Sequence, residues 1–326
     1  MTKTNIEWAQ HVWNPIAGCS IVSPGCTNCY AMKMAYRIEM ANAEAAAKYQ
    51  KERAPQYNGT TKRVNGNAVW TGRVAFSETA LLNPLYRKRP TTWFVNSMSD
   101  LFHESVPDEW IDRVFAVMAL TPQHTYQVLT KRSARMRAYC ASRSEPKARL
   151  AITGRMNAME SGDKYPIGHR MWPLPNVWLG VSTERQKEAD ERIPDLLATP
   201  AAVRFISAEP LLGLIVLDDV CDGHKFMDFL RGNWWHDCDP PHIERGHPKL
   251  DWVIVGGENG DRPMHPDHAR SLRDQCAAAG VPFFFKQWGT NIPDEEREGR
   301  YRRVPKSVAG RLLDGREHNG MPETVG

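Results

Sequence analysis

A chain of 326 residues can bury a full core, and β/α barrels of roughly 200 to 250 residues routinely form one unit, so the starting expectation is one large domain with additions. Hydrophobic residues make up 41% and charged residues 25%, which excludes the low-hydrophobicity composition of a disordered chain. The net charge of +4 and pI near 8.6 ease contact with a polyanion but fall short of the pI above about 9 expected of a dedicated nucleic-acid module.

The first residues contain no apolar stretch of signal-peptide length, and no run of about 18 apolar residues occurs. The expectation is a cytoplasmic protein with no membrane partner. In such a reducing compartment seven cysteines read as metal-binding or reactive groups rather than as disulfides.

The first informative segment is Ala17-Gly-Cys-Ser-Ile-Val-Ser-Pro-Gly-Cys-Thr-Asn-Cys-Tyr30. Gly18, Pro24 and Gly25 favour a looping backbone, Tyr30 opens a helix, and such a loop can turn Cys19, Cys26 and Cys29 toward one point. Three thiolates at close spacing suit an iron–sulfur cluster, with one iron of four left open to a small molecule. A structural zinc site completed by a residue such as His11 and a set of three unrelated buried thiols are the alternatives.

Downstream, short apolar runs alternate with helical stretches, as in a parallel sheet with helical crossovers. Strands are expected at Thr92–Asn96, Tyr126–Thr130, Val177–Val181, Val203–Ser207, Trp252–Val255 and Pro282–Lys286, and helices at Asp108–Leu120, Arg132–Ser142, Glu184–Leu197 and Pro266–Ala279. Right-handed crossovers of this kind close into a partial or complete β/α barrel, with a doubly wound open sheet as the alternative. The barrel is expected over 1–292, with inserts at about 41–69, 145–175 and 218–249 and a charged C-terminal extension, 293–326, that has no clear strand.

In β/α barrels functional groups stand at the carboxyl ends of strands. Polar residues follow each strand here: Ser97, Ser99 and Asp100; Lys131 and Arg132; Ser182 and Glu184; Ser207 and Glu209; Glu258 and Asn259; Lys286, Gln287 and Trp288. Helix capping is the plain alternative, with Ser182 and Asp108 as candidate caps. Gly256 and Gly257 suggest either close backbone approach to a ligand or a tight turn. In the Trp/His-rich insert, Cys221, His224, His236, Cys238 and His242 are residue types that suit zinc, although a surface cluster of satisfied histidines is the commoner outcome. Trp234, Trp235 and Trp288 are candidates for stacking on a base.

Asn5-Ile-Glu-Trp, Trp13-Asn-Pro, the cysteine loop, Asn96-Ser-Met-Ser-Asp-Leu-Phe-His, Leu129-Thr-Lys-Arg, Leu179-Gly-Val-Ser, Ser207-Ala-Glu-Pro-Leu-Leu-Gly, Val255-Gly-Gly-Glu-Asn-Gly and Phe285-Lys-Gln-Trp-Gly together resemble the phage-associated three-cysteine-motif family, the phage gp-thirty-seven/gp-sixty-eight family. That family in turn looks like a branch of the radical S-adenosylmethionine superfamily, similar in layout to spore photoproduct lyase. The resemblance implies a partial (β/α)6 TIM-type barrel, a 4Fe-4S cluster on Cys19, Cys26 and Cys29, and reductive cleavage of S-adenosylmethionine to a 5′-deoxyadenosyl radical. It also implies an electron donor such as flavodoxin or ferredoxin. The substrate is left unassigned, with a nucleic-acid base or nucleotide favoured. A non-catalytic metal-cluster or zinc nucleic-acid-binding phage protein is the alternative.

Under the resemblance, Tyr30, Ser97, Ser99, Asp100, Ser182, Glu209, Gly256 and Gly257 are expected at the cofactor, Asp100 as partner of the methionine ammonium. Lys131, Glu209 and Lys286 are expected to act in catalysis. Two departures from the superfamily pattern stand out. Six residues rather than three separate Cys19 from Cys26, and Asn28 stands where an aromatic often precedes the last cysteine.

Overall fold

The computed structural model describes residues 4, 6–50, 52–159, 172–223, 225–236, 242–294, 297 and 299–323, with the backbone alone for 156–159 and 222. The chain divides into two compact units, Met1–Trp178 and Leu179–Gly326. Both are mixed α/β with parallel strands, as the alternation of apolar runs and amphipathic stretches predicts. Among the described residues no helix is long and apolar enough to cross a membrane.

In the first unit the strand His11–Trp13 pairs in parallel with Thr92–Val95, which pairs in parallel with Thr125–Thr130. Trp93, Phe94 and Val95 are buried in succession, the mark of a strand covered on both faces. On one face Trp13 meets Tyr126 with ring centroids 5.4 Å apart, and on the other Phe94 meets Trp8 at 4.6 Å. The helix Asp108–Leu120 buries Ile111, Val114, Phe115 and Met118 at helical spacing. Asp112 ties it to the helix Ser133–Ser142, accepting from Tyr139 Oη and Arg143 Nε, each at 2.8 Å.

The stretch from residue 41 begins as the end of the helix Tyr30–Tyr49, and its polar remainder forms the hairpin Thr61–Val64 with Asn67–Trp70. The insert from 145 begins with the helix Pro146–Met159. His11–Trp13, too short and too mixed in polarity to read as a strand, is held by its parallel neighbour rather than by its own pattern.

In the second unit Val203–Ala208, Trp252–Gly256 and Phe283–Gln287 pair in parallel. Gly180 is required by packing, since a Cβ there would lie 2.5 Å from the Phe205 ring. The helices Gln186–Leu197 and Pro266–Ala279 bury Ile193, Leu196, Leu272 and Cys276. The Trp/His-rich insert folds into a four-stranded antiparallel sheet, Val220–Asp222, Lys225–Asp228, Asn233–His236 and His242–Glu244.

The C-terminal residues depart from expectation. Tyr301–Arg303 is a short strand paired with Asn291–Pro293, Leu313 is fully buried, and Trp252 Nε1 donates to Gly320 O at 2.7 Å. Charge concealed this docking, because a few apolar contacts and backbone bonds suffice for it.

Candidate functional site

The cysteine loop is built by local backbone constraints. Gly18 adopts φ +90°, and a Cβ there would sit 2.0 Å from Arg73 O, so no other residue fits. Gly18 bridges to Ser99, whose hydroxyl donates to Ile16 O at 2.8 Å, fastening the start of the loop to the end of the strand Thr92–Val95. The 3-10 turn Pro24–Cys26 follows, and Cys29 is the N-cap residue of the helix Tyr30–Tyr49.

Each thiol has its own setting. Cys26 is buried, with its sulfur 3.8 Å from Ser23 Oγ. Burial pushes the Cys29 thiol up, while the backbone N–H groups of Met32 and Ala31 at the helix start pull it down. Burial and then the Asp100 charge push the Cys19 thiol up to about 12, against the pull of Arg132. The charge of Cys26 acts on both Cys19 and Cys29, so the three lie in one electrostatic neighbourhood. Cys19 and Cys29 also pack beside an apolar cluster that includes Met32, Tyr57, Trp70 and Met98.

Among the described residues, no group of three or more His, Cys, Asp or Glu side chains is arranged to hold a metal ion. The chemistry of the donor set nevertheless fits a soft metal cluster: three thiols, one at a helix N-terminus and one beside a guanidinium.

That guanidinium is the centre of the strand-end network. Arg132 Nη1 donates to Asp100 Oδ2 at 3.1 Å and lies 3.7 Å from Cys19 Sγ. Its Nη2 donates to Ser20 Oγ at 2.7 Å, and its Nε to the Glu104 carboxylate at 3.0 and 3.1 Å. Burial works against the Arg132 charge, but Asp100, Cys19 and Glu104 hold its pKa above the ordinary value. His103, 3.0 Å from Ser20 Oγ, is held below its ordinary pKa by burial and then by Arg132.

Asp100 does not stand ready for an ammonium ligand. Its carboxylate accepts from Thr130 Oγ1 at 2.7 Å, Phe102 N at 3.0 Å, Lys131 N at 3.0 Å and Arg132 Nη1 at 3.1 Å, and the residue is buried. Its acceptor positions are filled from within, so its role is to hold Arg132. Tyr30 is exposed and donates to Ser97 O at 2.7 Å, and Ser97 Oγ donates to Asn14 Oδ1 at 3.2 Å. Asn96 has φ +57° and is buried with neither amide atom partnered among the described residues.

The second unit carries its own strand-end cluster. Lys286 Nζ lies 2.9 Å from Glu209 Oε1, and Ser207 Oγ donates to Glu209 Oε2 at 2.9 Å. Arg192 Nη1 donates to Glu184 Oε2 at 3.0 Å and to Ser182 O at 2.8 Å, while Arg262 grips Glu258 with two bonds of 2.9 and 2.6 Å. The Thr183 hydroxyl is buried without a partner among the described residues.

Capping explains neither residue considered for it. The N-cap residues are Pro107, before the helix that Asp108 begins, and Arg185, before Gln186–Leu197, and neither side chain accepts a capping bond. The two glycines answer to the protein itself. A Cβ on Gly256 would meet Glu209 Oε1 at 2.6 Å, and one on Gly257 would meet Trp288 O at 2.0 Å.

Trp288 is buried and donates to Leu312 O at 2.8 Å, so it is not a free stacking platform. Trp234 is already sandwiched by His247, with ring centroids 3.5 Å apart, and by Lys225 Nζ at 3.3 Å. Trp235 stacks on Phe226. His11 lies against Trp93. Of the zinc candidates in the insert, His224 and Cys238 lie outside the described residues.

Sequence reasoning missed Ser20, His103, Glu104 and the directing role of Arg132. The available signal was Arg132 itself, a cation next to a strand end and level with an acidic residue at the end of a neighbouring strand.

The chain matches, over residues 3–322, the family described as protein of unknown function, DUF5131. No curated protein and no solved structure gives a match. Since the matched span covers nearly all of its length, the chain belongs to the DUF5131 family.

Proposed function

We propose that this protein holds a four-iron cluster on Cys19, Cys26 and Cys29 and is a radical S-adenosylmethionine enzyme on a partial β/α barrel, of the phage-associated three-cysteine-motif kind. The observation that carries the reading is the setting of the thiols. Three cysteines share one electrostatic neighbourhood, Cys29 sits at a helix N-terminus and Cys19 lies beside Arg132. Both placements work against the burial that raises these two thiols, and so toward the thiolate, the form that binds iron. Closing on a common centre requires the thiols to turn through their staggered rotamers.

When bound, such a cluster with its open iron supplies the electron that cleaves S-adenosylmethionine to methionine and the 5′-deoxyadenosyl radical. The chain's own residues then have defined tasks. Tyr30, Ser97 and Ser99 fix the loop against the strand end and line the approach to it. Lys131, whose backbone is held by Asp100, offers a cation to an anionic substrate such as a nucleotide.

In the second unit Glu209 and Lys286, paired with each other, suit exchange with the ammonium and carboxylate of a zwitterion, and Ser182 suits a sugar hydroxyl. The test is formation of 5′-deoxyadenosine by anaerobically reconstituted protein given S-adenosylmethionine and a low-potential reductant, flavodoxin or dithionite. A protein that binds a cluster or zinc, retards nucleic acid and forms no 5′-deoxyadenosine is the non-catalytic alternative.

A further inference from the structure

We propose that Arg132 is a positioning and tuning residue for the metal centre: it orients Cys19 and, through its charge, raises the reduction potential of a cluster bound there. The inference rests on the cluster assignment above.

Arg132 reaches the cysteine loop from outside it, with Nη1 3.7 Å from Cys19 Sγ. The same guanidinium grips the next residue, Ser20, through its hydroxyl at 2.7 Å and its carbonyl at 3.4 Å. It is therefore clamped on both the sulfur and the backbone of the first cysteine's segment. Asp100 accepts from the same Nη1 at 3.1 Å and Glu104 from Nε at 3.0 Å, so all three guanidinium nitrogens are held. Asp100 is buried, whereas the Glu104 side chain is 63% exposed.

Hydrogen bonds and charge at cluster sulfurs shift reduction potentials. Adding an electron makes the centre more negative, and a fixed cation held in a partly desolvated place favours that state. Both carboxylates offset the cation, and Asp100 acts on Cys19 as well. Asp100 also aims the guanidinium from the buried side, so its loss would disturb position and charge together, whereas Glu104 offsets the charge from the solvent side and can be removed without releasing that aim.

The experiment measures cluster content and midpoint potential, by dye-mediated titration with paramagnetic-resonance readout, for reconstituted wild type, Arg132→Gln and Glu104→Gln. Arg132→Gln is expected to lower the equilibrium constant for reduction about tenfold, which is about 59 mV for one electron. Glu104→Gln, at an exposed position, is expected to move the potential the other way by a smaller amount. A residue that only braces the loop would reduce the fraction of loaded protein and leave the potential of the loaded fraction unchanged. An unchanged potential in loaded Arg132→Gln overturns the proposal. If that variant fails to load, Glu104→Gln decides alone: a raised potential supports the proposal, and an unchanged or lowered one overturns it. If wild type holds no cluster, the functional reading falls first and this inference falls with it.

Discussion

Glu209 and Lys286 stand at the carboxyl ends of strands in the second unit, with Oε1 and Nζ 2.9 Å apart, and Gly256 leaves the space that the carboxylate fills. The two adjacent glycines therefore serve different neighbours. A methyl group on Gly256 meets the movable end of Glu209, whereas one on Gly257 meets the backbone carbonyl of Trp288 at 2.0 Å. Gly256→Ala is expected to cost under about 1 kcal/mol and to weaken turnover by displacing Glu209, while Gly257→Ala costs about 2 to 3 kcal/mol through overpacking. Denaturant melts of the two variants check the order; equal losses contradict it.

Asp100→Asn removes one charge from a buried pair in which the Arg132 and Asp100 side chains are 5% and 7% exposed. Breaking such a pair by removing one partner typically costs about 3 to 5 kcal/mol. The expected outcome is a large fall in stability accompanied by loss of cluster loading. A variant as stable as wild type that loads fully and only binds S-adenosylmethionine more weakly would restore the direct ammonium contact that the filled acceptor positions of Asp100 argue against.

Gln127 is fully buried on the strand Thr125–Thr130, and neither its amide nitrogen nor its oxygen has a partner among the described residues. Leaving such a group unpaired typically costs about 1 to 3 kcal/mol. Gln127→Met is expected to be neutral or stabilising in a chemical melt. A loss above about 1 kcal/mol would mean that the amide is partnered, for instance by enclosed water.

Asp314, near the C-terminus, is held down to about 2 from an ordinary 3.8 by its bond from Arg270, against burial, with Arg273 adding to the pull. A depressed folded-state pKa gives stability that is fully present above 3.8 and lost as pH falls toward about 2. The group is a third exposed, so screening limits its worth to under about 1 kcal/mol. Asp314→Asn should remove that increment at pH 7 and flatten the acid limb of stability below pH 3.8. An unchanged acid limb would show that the pair contributes nothing.

The parallel strands were legible because burial on both faces forces consecutive apolar residues; Thr92–Val95 and Trp252–Gly256 are the plainest instances. The helix Asp108–Leu120 was equally legible from its single apolar face. The four-stranded sheet was not, because strands such as Asn233–His236 are half-buried throughout and mix Trp, His and Asn without alternation. In the site, the resemblance implied Asp100 and Glu209 as cofactor ligands, but a sequence match cannot tell a free carboxylate from one already paired. Asp100 is spent on Arg132 and Glu209 on Lys286, and both pairings join residues from different strand ends.

For an iron–sulfur cluster held by Cys19, Cys26 and Cys29, the helical cysteines Cys140 and Cys276 provide internal controls. Both are fully buried on the helices Ser133–Ser142 and Pro266–Ala279, outside the cysteine loop. The most direct measurement is iron and acid-labile sulfide per chain after anaerobic reconstitution, made on wild type and on the five single Cys→Ala variants. About four irons and as much sulfide are expected in wild type, Cys140→Ala and Cys276→Ala, with loss of the cluster in Cys19→Ala, Cys26→Ala and Cys29→Ala. Stoichiometric zinc without sulfide in wild type, or equal loss of iron in all five variants, would contradict the cluster assignment.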